Sequence, residues 1–147
     1  MSKKSKGNLL ITFILLVSLS ITIFAFISFI GTRMLESGIK VLLDPNGPTG
    51  GLPGLVDIFK RKGLGNIIDS WIGMGPNKKI SARKVKKGLG PDILEQIAGT
   101  VGLSKGAASG QLAKYLPKII DKLTPKGEIP KETTLADKGL ELLKGLF

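Results

Sequence analysis

The stretch PDILEQIAGTVGLSKGAASGQLAKYLPKIIDKL, residues 91–123, decides the fold class of this chain. Its apolar residues recur at helical spacing on both sides of a Gly-Leu-Ser turn, which predicts two consecutive helices. Pro91 and Asp92 suit the first turn of the first helix, and Gly102 suits its end. Ser104 can cap the second helix. The two predicted apolar faces consist of Ile93, Leu94, Ile97, Ala98 and Val101, and of Ala108, Leu112, Leu116, Ile119, Ile120 and Leu123.

Short helices broken by glycine also precede this stretch, from Leu52 onward. Gly63 can end one of them in the left-handed conformation, Gly73 can end the next, and Ser81 can cap a third. Since no segment shows the sustained alternation of a strand, we predict an all-α domain, a small bundle of short helices. The apolar stripes are Leu55, Val56 and Phe59; Ile67, Ile68, Trp71 and Ile72; and Val85 and Leu89.

An uncharged apolar run from Leu9 to Ile30 precedes the domain. As a helix this run spans about 33 Å, which matches the hydrocarbon core of a bilayer at roughly 30 Å. A cleaved signal peptide has a shorter apolar region followed by small residues, whereas this run ends Ser-Phe-Ile-Gly. We therefore predict an uncleaved transmembrane helix. The predicted organisation is a basic flank at 1–8, a transmembrane helix with a helical extension at 9–43, a Pro/Gly linker at 44–54, the helical domain at 55–130 and an amphipathic helix at 131–147.

The basic residues that flank the run predict its orientation. Lys3, Lys4 and Lys6 precede it, and Arg33 and Lys40 follow it, so the positive-inside rule favours an amino terminus in the cytoplasm. The helical domain would then lie outside the cytoplasm.

The carboxyl-terminal tail reads as an amphipathic helix that Thr133 or Thr134 can cap. Such a helix could pack on the bundle, lie on the membrane or dock a partner. Its predicted apolar face consists of Leu135, Leu142, Leu143 and Leu146.

The amino-acid composition limits the catalytic and metal-binding chemistry open to this chain. Lys and Arg total 22 against 11 for Asp and Glu, and the chain has no histidine and no cysteine. The usual near-neutral acid–base group and the commonest zinc ligands are therefore missing. Ser81-Ala82-Arg83-Lys84 matches S-x-x-K without the motifs that accompany it in acyl-transfer enzymes, and residues 73–78 do not fit a P-loop. We predict no catalytic residue, no cofactor and no metal site.

Basic residues cluster in the runs RKGLG (61–65) and ARKVKKGLG (82–90). They could form a solvated face, or they could attract anionic lipid headgroups, an anionic envelope polymer or an acidic protein. The candidate interaction residues are Arg61, Lys62, Arg83, Lys84, Lys86 and Lys87, together with the leucines of the tail.

The segment SWIGMGPN (70–77) contains the only tryptophan. We interpret it as a corner of the fold, in which the Trp71 ring is buried, Gly73 and Gly75 take positive φ, and Pro76-Asn77 turns the chain.

Residues 63–130 resemble the bacterial YidB-like family. That family shows a Gly-Leu-Gly start, Ser-Trp-Ile-Gly-x-Gly-x-Asn, Gly-Leu-Ser and Leu-Thr-Pro-x-Gly in this order. The resemblance implies a small helical domain of homeodomain-like type and no known reaction. The chain departs from the pattern by its apolar run and by Lys79, where proline is common. The matching positions are Gly63, Leu64, Gly65, Ser70, Trp71, Ile72, Gly73, Gly75, Asn77, Leu89, Gly90, Gly102, Leu103, Ser104, Leu116, Pro117, Asp121, Leu123, Thr124 and Pro125.

Two functions fit these features. The first is a scaffold domain anchored by one span in a bacterial inner membrane, an accessory subunit whose partners are the bilayer and other membrane proteins. The second is nucleic-acid binding, because residues 93–116 follow the order of a helix-turn-helix. The second helix offers Lys105, Ser109, Gln111 and Lys114, but no arginine or asparagine for bidentate contacts with bases. We therefore expect the scaffold function.

Overall fold

A computed structural model describes residues 3–130 of the chain, together with Glu141 and Gly145. This part of the chain contains five helices and no strand, which confirms the all-α class. The leucines of the predicted tail helix lie outside the described residues. The helices are α1 (Lys3–Leu43), α2 (Gly51–Arg61), α3 (Gly65–Ile72), α4 (Ala82–Val101) and α5 (Lys105–Leu123).

The chain divides into two compact units, the first of which ends at Arg33. This first unit is the apolar part of α1, and its large hydrophobic side chains from Leu9 to Phe29 are exposed. The hydroxyls of Thr12 and Thr22 donate to carbonyl oxygens of the preceding turn, at 2.8 and 2.9 Å, so they need no partner outside the helix. Among the described helices, α1 is the one long and apolar enough to cross a membrane, and it is compatible with membrane anchoring.

The second unit begins at Met34 and includes the last turns of α1. The sequence predicts these turns as a helical extension of the membrane helix; α1 continues through them to Leu43, and they pack in a globular core. Gly38 permits their close packing, because a Cβ there would lie 3.2 Å from Cγ1 of Val101 and 3.4 Å from Cγ2 of Ile97. The buried residues of this segment are Leu35, Ile39, Leu42 and Leu43.

The sequence predicts a Pro/Gly linker or turn at residues 44–54; residues 44–50 form a turn that leads directly into α2, and residues 51–54 belong to that helix. The buried Thr49 hydroxyl donates to the Leu42 carbonyl at 2.6 Å, and this bond closes the end of α1. The Thr49 carbonyl sits where a Cβ of residue 54 would be, so only Gly54 fits there. Helix α2 starts at Gly51, earlier than predicted. Pro53 is tolerated in the first turn, because the backbone N–H that proline lacks has no hydrogen-bond partner at that position of a helix.

The predicted helix ends and caps form as expected. Gly63 and Gly102 have φ of +75° and +67°. In each case the amide of the next residue donates back to a carbonyl of the last turn, Leu64 to Phe59 at 2.9 Å and Leu103 to Ala98 at 3.0 Å. This is the pattern of a Schellman motif.

Helix α4 consists of two helical parts that meet at Gly90, whose φ of +80° and ψ of +169° are not helical. Pro91 then starts the second part, as predicted. The Ser81 hydroxyl accepts from the Lys84 amide at 3.3 Å, and the Ser104 hydroxyl accepts from the Ala107 amide at 3.1 Å. These bonds cap α4 and α5.

The core lies where the helices of the second unit meet, around the two largest buried rings. Phe59 and Trp71 are both fully buried and pack edge to face, with their ring centroids 6.0 Å apart. Gly88 brings α4 against this pair, because a Cβ at position 88 would lie 2.9 Å from the Phe59 ring. The apolar stripes predicted from the sequence therefore face one shared core.

Candidate interaction surface

The Trp71 corner holds the loop that connects α3 and α4. The Trp71 indole Nε1 donates to the backbone carbonyl of Lys78 at 2.8 Å. The Lys78 amide donates to the Ser70 hydroxyl at 3.0 Å, and that hydroxyl donates to the Ile67 carbonyl at 2.6 Å. Two adjacent side chains thus bind both polar groups of one residue, so Ser70 and Trp71 have a structural role.

Thr124, directly after α5, contacts the Trp71 corner. It is buried, and its hydroxyl contacts the Ile120 carbonyl at 2.8 Å and the Trp71 carbonyl at 3.4 Å. The Thr124 amide donates to the carbonyl of Asp121 at 3.2 Å, and Pro125 follows on the surface. The Ser-Trp and Leu-Thr-Pro segments therefore meet in space, a contact that the sequence analysis did not predict.

Gly73 and Gly75 differ from the prediction, because neither has a positive φ. Gly73 ends α3 with φ −67°, and a Cβ there would lie 3.2 Å from the carbonyl oxygen of Asp69. Close approach to that carbonyl is thus the reason for glycine at position 73. At Gly75 a Cβ would meet open space, and nothing in the structure explains the glycine. Asn77 is half-buried in the same loop.

Four exposed cations cover the outer side of the first part of α4. Val85, Gly88 and Leu89 on the opposite side are buried. No acidic residue occurs in this part of the helix. We call the exposed side the α4 basic face; it consists of Arg83, Lys84, Lys86 and Lys87.

Arg61 and Lys62, at the end of α2, border a shallow groove against α4. The groove has a volume of about 450 Å³, and its other lining residues are Ile58, Leu89 and Ile93. Leu89 lies one helical turn after Lys86, so the groove adjoins the α4 basic face. The six basic residues singled out from the sequence are therefore all exposed, on neighbouring parts of α2 and α4.

Helix α5, the candidate for reading bases, offers fewer polar groups than the sequence indicated. Ser109 is fully buried, and its hydroxyl donates to carbonyls of its own helix. Lys105 forms an ion pair with Glu95, Nζ to Oε2, at 2.7 Å. The hydrogen bond and the charge of Lys105 hold the pKa of the Glu95 carboxyl below its usual value. Only Gln111 and Lys114 of the four predicted groups are exposed and outside such contacts with other helices.

The turn between α4 and α5 and the rest of α5 serve mainly to pack the helices together. Gly102 and Ser104 form the turn, and Pro117 lies buried within α5, which continues through it to Leu123. Across the described part of the chain, no three acidic side chains come together to hold a metal ion.

Comparison with known proteins places the chain in a family. The sequence model of YidB-like proteins matches residues 29–132, which contain the whole helical domain from α2 to α5. The chain belongs to the YidB-like family. The uncharacterised protein YidB of Escherichia coli K12 is 34% identical over 99 residues, which are 65% of this chain and 75% of YidB.

The YidB-like fold is also known from a solved structure. A homeodomain-like protein of unknown function from Shigella flexneri superposes with a TM-score of 0.61 at 33% sequence identity, over 75% of this chain and 88% of that protein. The family match begins at residue 29, so most of the apolar run of α1 lies outside the part that YidB-like proteins share.

Proposed function

We propose that this chain is a membrane-anchored, non-enzymatic interaction domain, an accessory subunit of a membrane protein assembly in bacteria. The observation that carries the proposal is the exposure of the apolar part of α1. Large side chains such as Phe13 and Phe24 are 65% and 73% exposed, which costs solvation free energy in water and none in lipid. An anchor of this kind is needed only by a protein that acts at the membrane.

The domain follows the anchor with almost no spacer. Leu35 is already buried in the globular core, and the chain from Ile30 to Leu35 cannot exceed about 18 Å even when fully extended. We propose a bacterial inner-membrane location with the amino terminus inside, on the basis of Lys3, Lys4 and Lys6 ahead of the span. The domain would then act on the outer side of that membrane.

Binding, rather than catalysis, suits the side chains of the domain. The residues shared with the family around Trp71 and Thr124 hold backbone groups. The chain has no histidine and no cysteine, the side chains that most often act as near-neutral acid–base groups or thiol nucleophiles.

Nucleic-acid binding is the second candidate, and the helix-turn-helix order of α4 and α5 favours it. The similar protein from Shigella flexneri is described as homeodomain-like. The burial of Ser109 and the ion pair of Lys105 weaken this candidate, because direct readout depends on exposed donors and acceptors on the second helix.

Purification of the tagged full chain from membranes in mild detergent tests the proposal. We expect one or more membrane proteins to co-purify in a fixed ratio to the chain. As a matched control, a variant with residues 9–30 replaced by an unrelated transmembrane sequence should stay in the membrane, and it separates partners of the span from partners of the domain. A chain that leaves the membrane in soluble form, or that purifies without any fixed-ratio partner, would contradict the proposal.

A further inference from the structure

We propose that the α4 basic face, together with Arg61 and Lys62, binds the phosphate groups of anionic phospholipid headgroups. This inference rests on the proposed membrane anchoring, and it names the ligand of the basic surface. The partner class is the anionic lipid of a bilayer rather than a soluble protein or a nucleic acid.

The charges of the α4 basic face lack compensation by neighbouring carboxylates. From Lys78 to Pro91 the sequence has no acidic residue. The ion pairs found within residues 6–130 join Lys60 to Asp69 and Lys105 to Glu95, and neither includes a residue of the face. The face therefore presents a net positive potential that attracts anions.

The shape of the surface suits an amphiphilic anion. Arg61 and Lys62 stand at the rim of the groove, while Ile58, Leu89 and Ile93 supply apolar lining. Arginine binds phosphate oxygens in pairs through its planar guanidinium group, and lysine adds a point charge. A lipid headgroup brings both a phosphate and the adjoining glycerol and acyl carbons, whereas inorganic phosphate brings only the charge.

Proximity to a bilayer raises the effective concentration of such a ligand. Because the chain from Ile30 to the buried Leu35 is so short, the domain stays close to the surface of any membrane that holds the span. Each basic residue near an anionic surface adds to the attraction, so several weak contacts act together.

A second row of lysines allows a matched control. Lys114, Lys118 and Lys122 recur every four residues along α5, and Lys126 follows; all of them are exposed. Changing these residues removes as much charge as changing the α4 basic face. A ligand that responds only to net charge will therefore respond equally to both changes.

The experiment uses the full chain in nanodiscs, with a fluorophore on a single cysteine. The chain has no native cysteine, so Ala82→Cys, at the start of α4 beside the basic face, gives one labelled site. Quenching by a headgroup-attached quencher is measured in discs of phosphatidylcholine alone and in discs that also contain phosphatidylglycerol. Gln96→Cys, an exposed site in the second part of α4, provides the reference label.

We expect quenching at position 82 to appear with phosphatidylglycerol and to be lost at high salt, which screens surface charges. The variant Arg83→Gln/Lys84→Gln/Lys86→Gln/Lys87→Gln should lose most of the lipid-dependent quenching, because four attractive charges are removed. The variant Lys114→Gln/Lys118→Gln/Lys122→Gln/Lys126→Gln should retain it, and inorganic phosphate should compete poorly.

Several results would overturn the inference. Equal loss in the two variants would show attraction to net charge alone, and equal quenching in neutral and anionic discs would remove the role of the phosphate. Release of the face by a DNA duplex at physiological salt would assign it to nucleic acid. A chain that fails to enter nanodiscs refutes the anchor itself, whereas a chain that enters without quenching at position 82 refutes only the lipid inference. The measurement of quenching against salt concentration keeps the α4 basic face unsubstituted, so its result does not depend on whether the glutamine variants fold.

Discussion

The indole of Trp71 and the backbone carbonyl of Lys78 are joined by a hydrogen bond of 2.8 Å. Through this bond a residue of the core fixes the second half of the loop that connects α3 to α4. The Ser70 hydroxyl binds the amide of the same lysine, so the loop is held by two side chains that are adjacent in sequence. The family motif around Trp71 thus holds the loop that leads into α4.

Replacement of the buried ring should destabilise the domain strongly. Trp71→Ala removes a fully buried side chain that packs on Phe59, and we expect a loss of about 3–5 kcal/mol in the free energy of unfolding. Trp71→Phe keeps most of the ring volume but loses the N–H donor, and it should cost less. Chemical denaturation of the full chain in detergent, followed by circular dichroism, measures both variants.

Met74 lies in the same loop and is 85% exposed. Met74→Ala should therefore leave the stability nearly unchanged, and it serves as the control. A Trp71→Ala variant with normal stability that has lost a bound ligand would falsify the structural role.

Two glycines on helices should respond in opposite directions to alanine. At Gly88 a Cβ would lie 2.9 Å from the Phe59 ring and 3.1 Å from Leu64, so Gly88→Ala should destabilise by about 1–3 kcal/mol through overpacking. At Gly110, within α5, a Cβ meets open space, so Gly110→Ala should stabilise by about 0.5–1 kcal/mol through helix propensity. Thermal unfolding of the two variants measures both changes. A Gly88→Ala variant as stable as the unsubstituted chain would mean that α4 does not pack on Phe59 as described, and a destabilised Gly110→Ala variant would mean that position 110 is not open.

Much of the fold could be predicted because its signals are local. The apolar stripe of α2 and the glycines at positions 63 and 102 lie within one helix and its end, and both glycines take the predicted left-handed conformation. A turn could be predicted at residues 44–50, but its packing could not be read in this way. Its order depends on the Thr49 hydroxyl and on the space left by Gly54, and both features require the three-dimensional path of the chain.

For the surface residues too, some features could be predicted from local sequence and others could not. Exposure of Lys86 and Lys87 could be predicted, since unpaired charges are rarely buried. The burial of Ser109 could not, because a serine that bonds to carbonyls of its own helix looks the same in sequence as an exposed one. The contact of Thr124 with Trp71 joins segments far apart in the chain, and no local pattern indicates it.

Sequence-specific DNA binding should be absent. Phosphate contacts alone give an affinity that falls steeply with salt and carries no sequence preference. We expect DNA retention by the full chain in nanodiscs to vanish by about 150 mM salt, with no site preferred by ~10³ or more over random sequence. Selection from a random DNA library measures this. A selected site that binds tightly at that salt, and is lost in Gln111→Ala/Lys114→Ala, would establish the nucleic-acid function instead.

The ion pair between Lys105 and Glu95 predicts a defined pH response. Because Lys105 lowers the pKa of the Glu95 carboxyl in the folded state, the pair stabilises the fold above the ordinary carboxyl pKa. That contribution is lost as the pH falls through the lowered pKa. In Lys105→Met the Glu95 pKa should rise toward its ordinary value, as followed by NMR of the carboxyl carbon. Added salt should shrink the difference, since both groups are exposed to solvent. Identical titration in the two proteins would rule out the pair in solution.

The proposed function depends above all on the membrane anchor, and cysteine labelling in bacterial spheroplasts tests this anchor most directly. Single cysteines are placed at Ser5 and Ala82, on either side of the apolar run, in a chain that has none of its own. After alkaline washing the chain should remain in the membrane fraction. A membrane-impermeant maleimide should label Ala82→Cys in intact spheroplasts, and it should label Ser5→Cys only after lysis. Release of the chain by alkaline washing, or labelling of position 5 but not of position 82 in intact spheroplasts, would contradict the anchored, outward-facing domain.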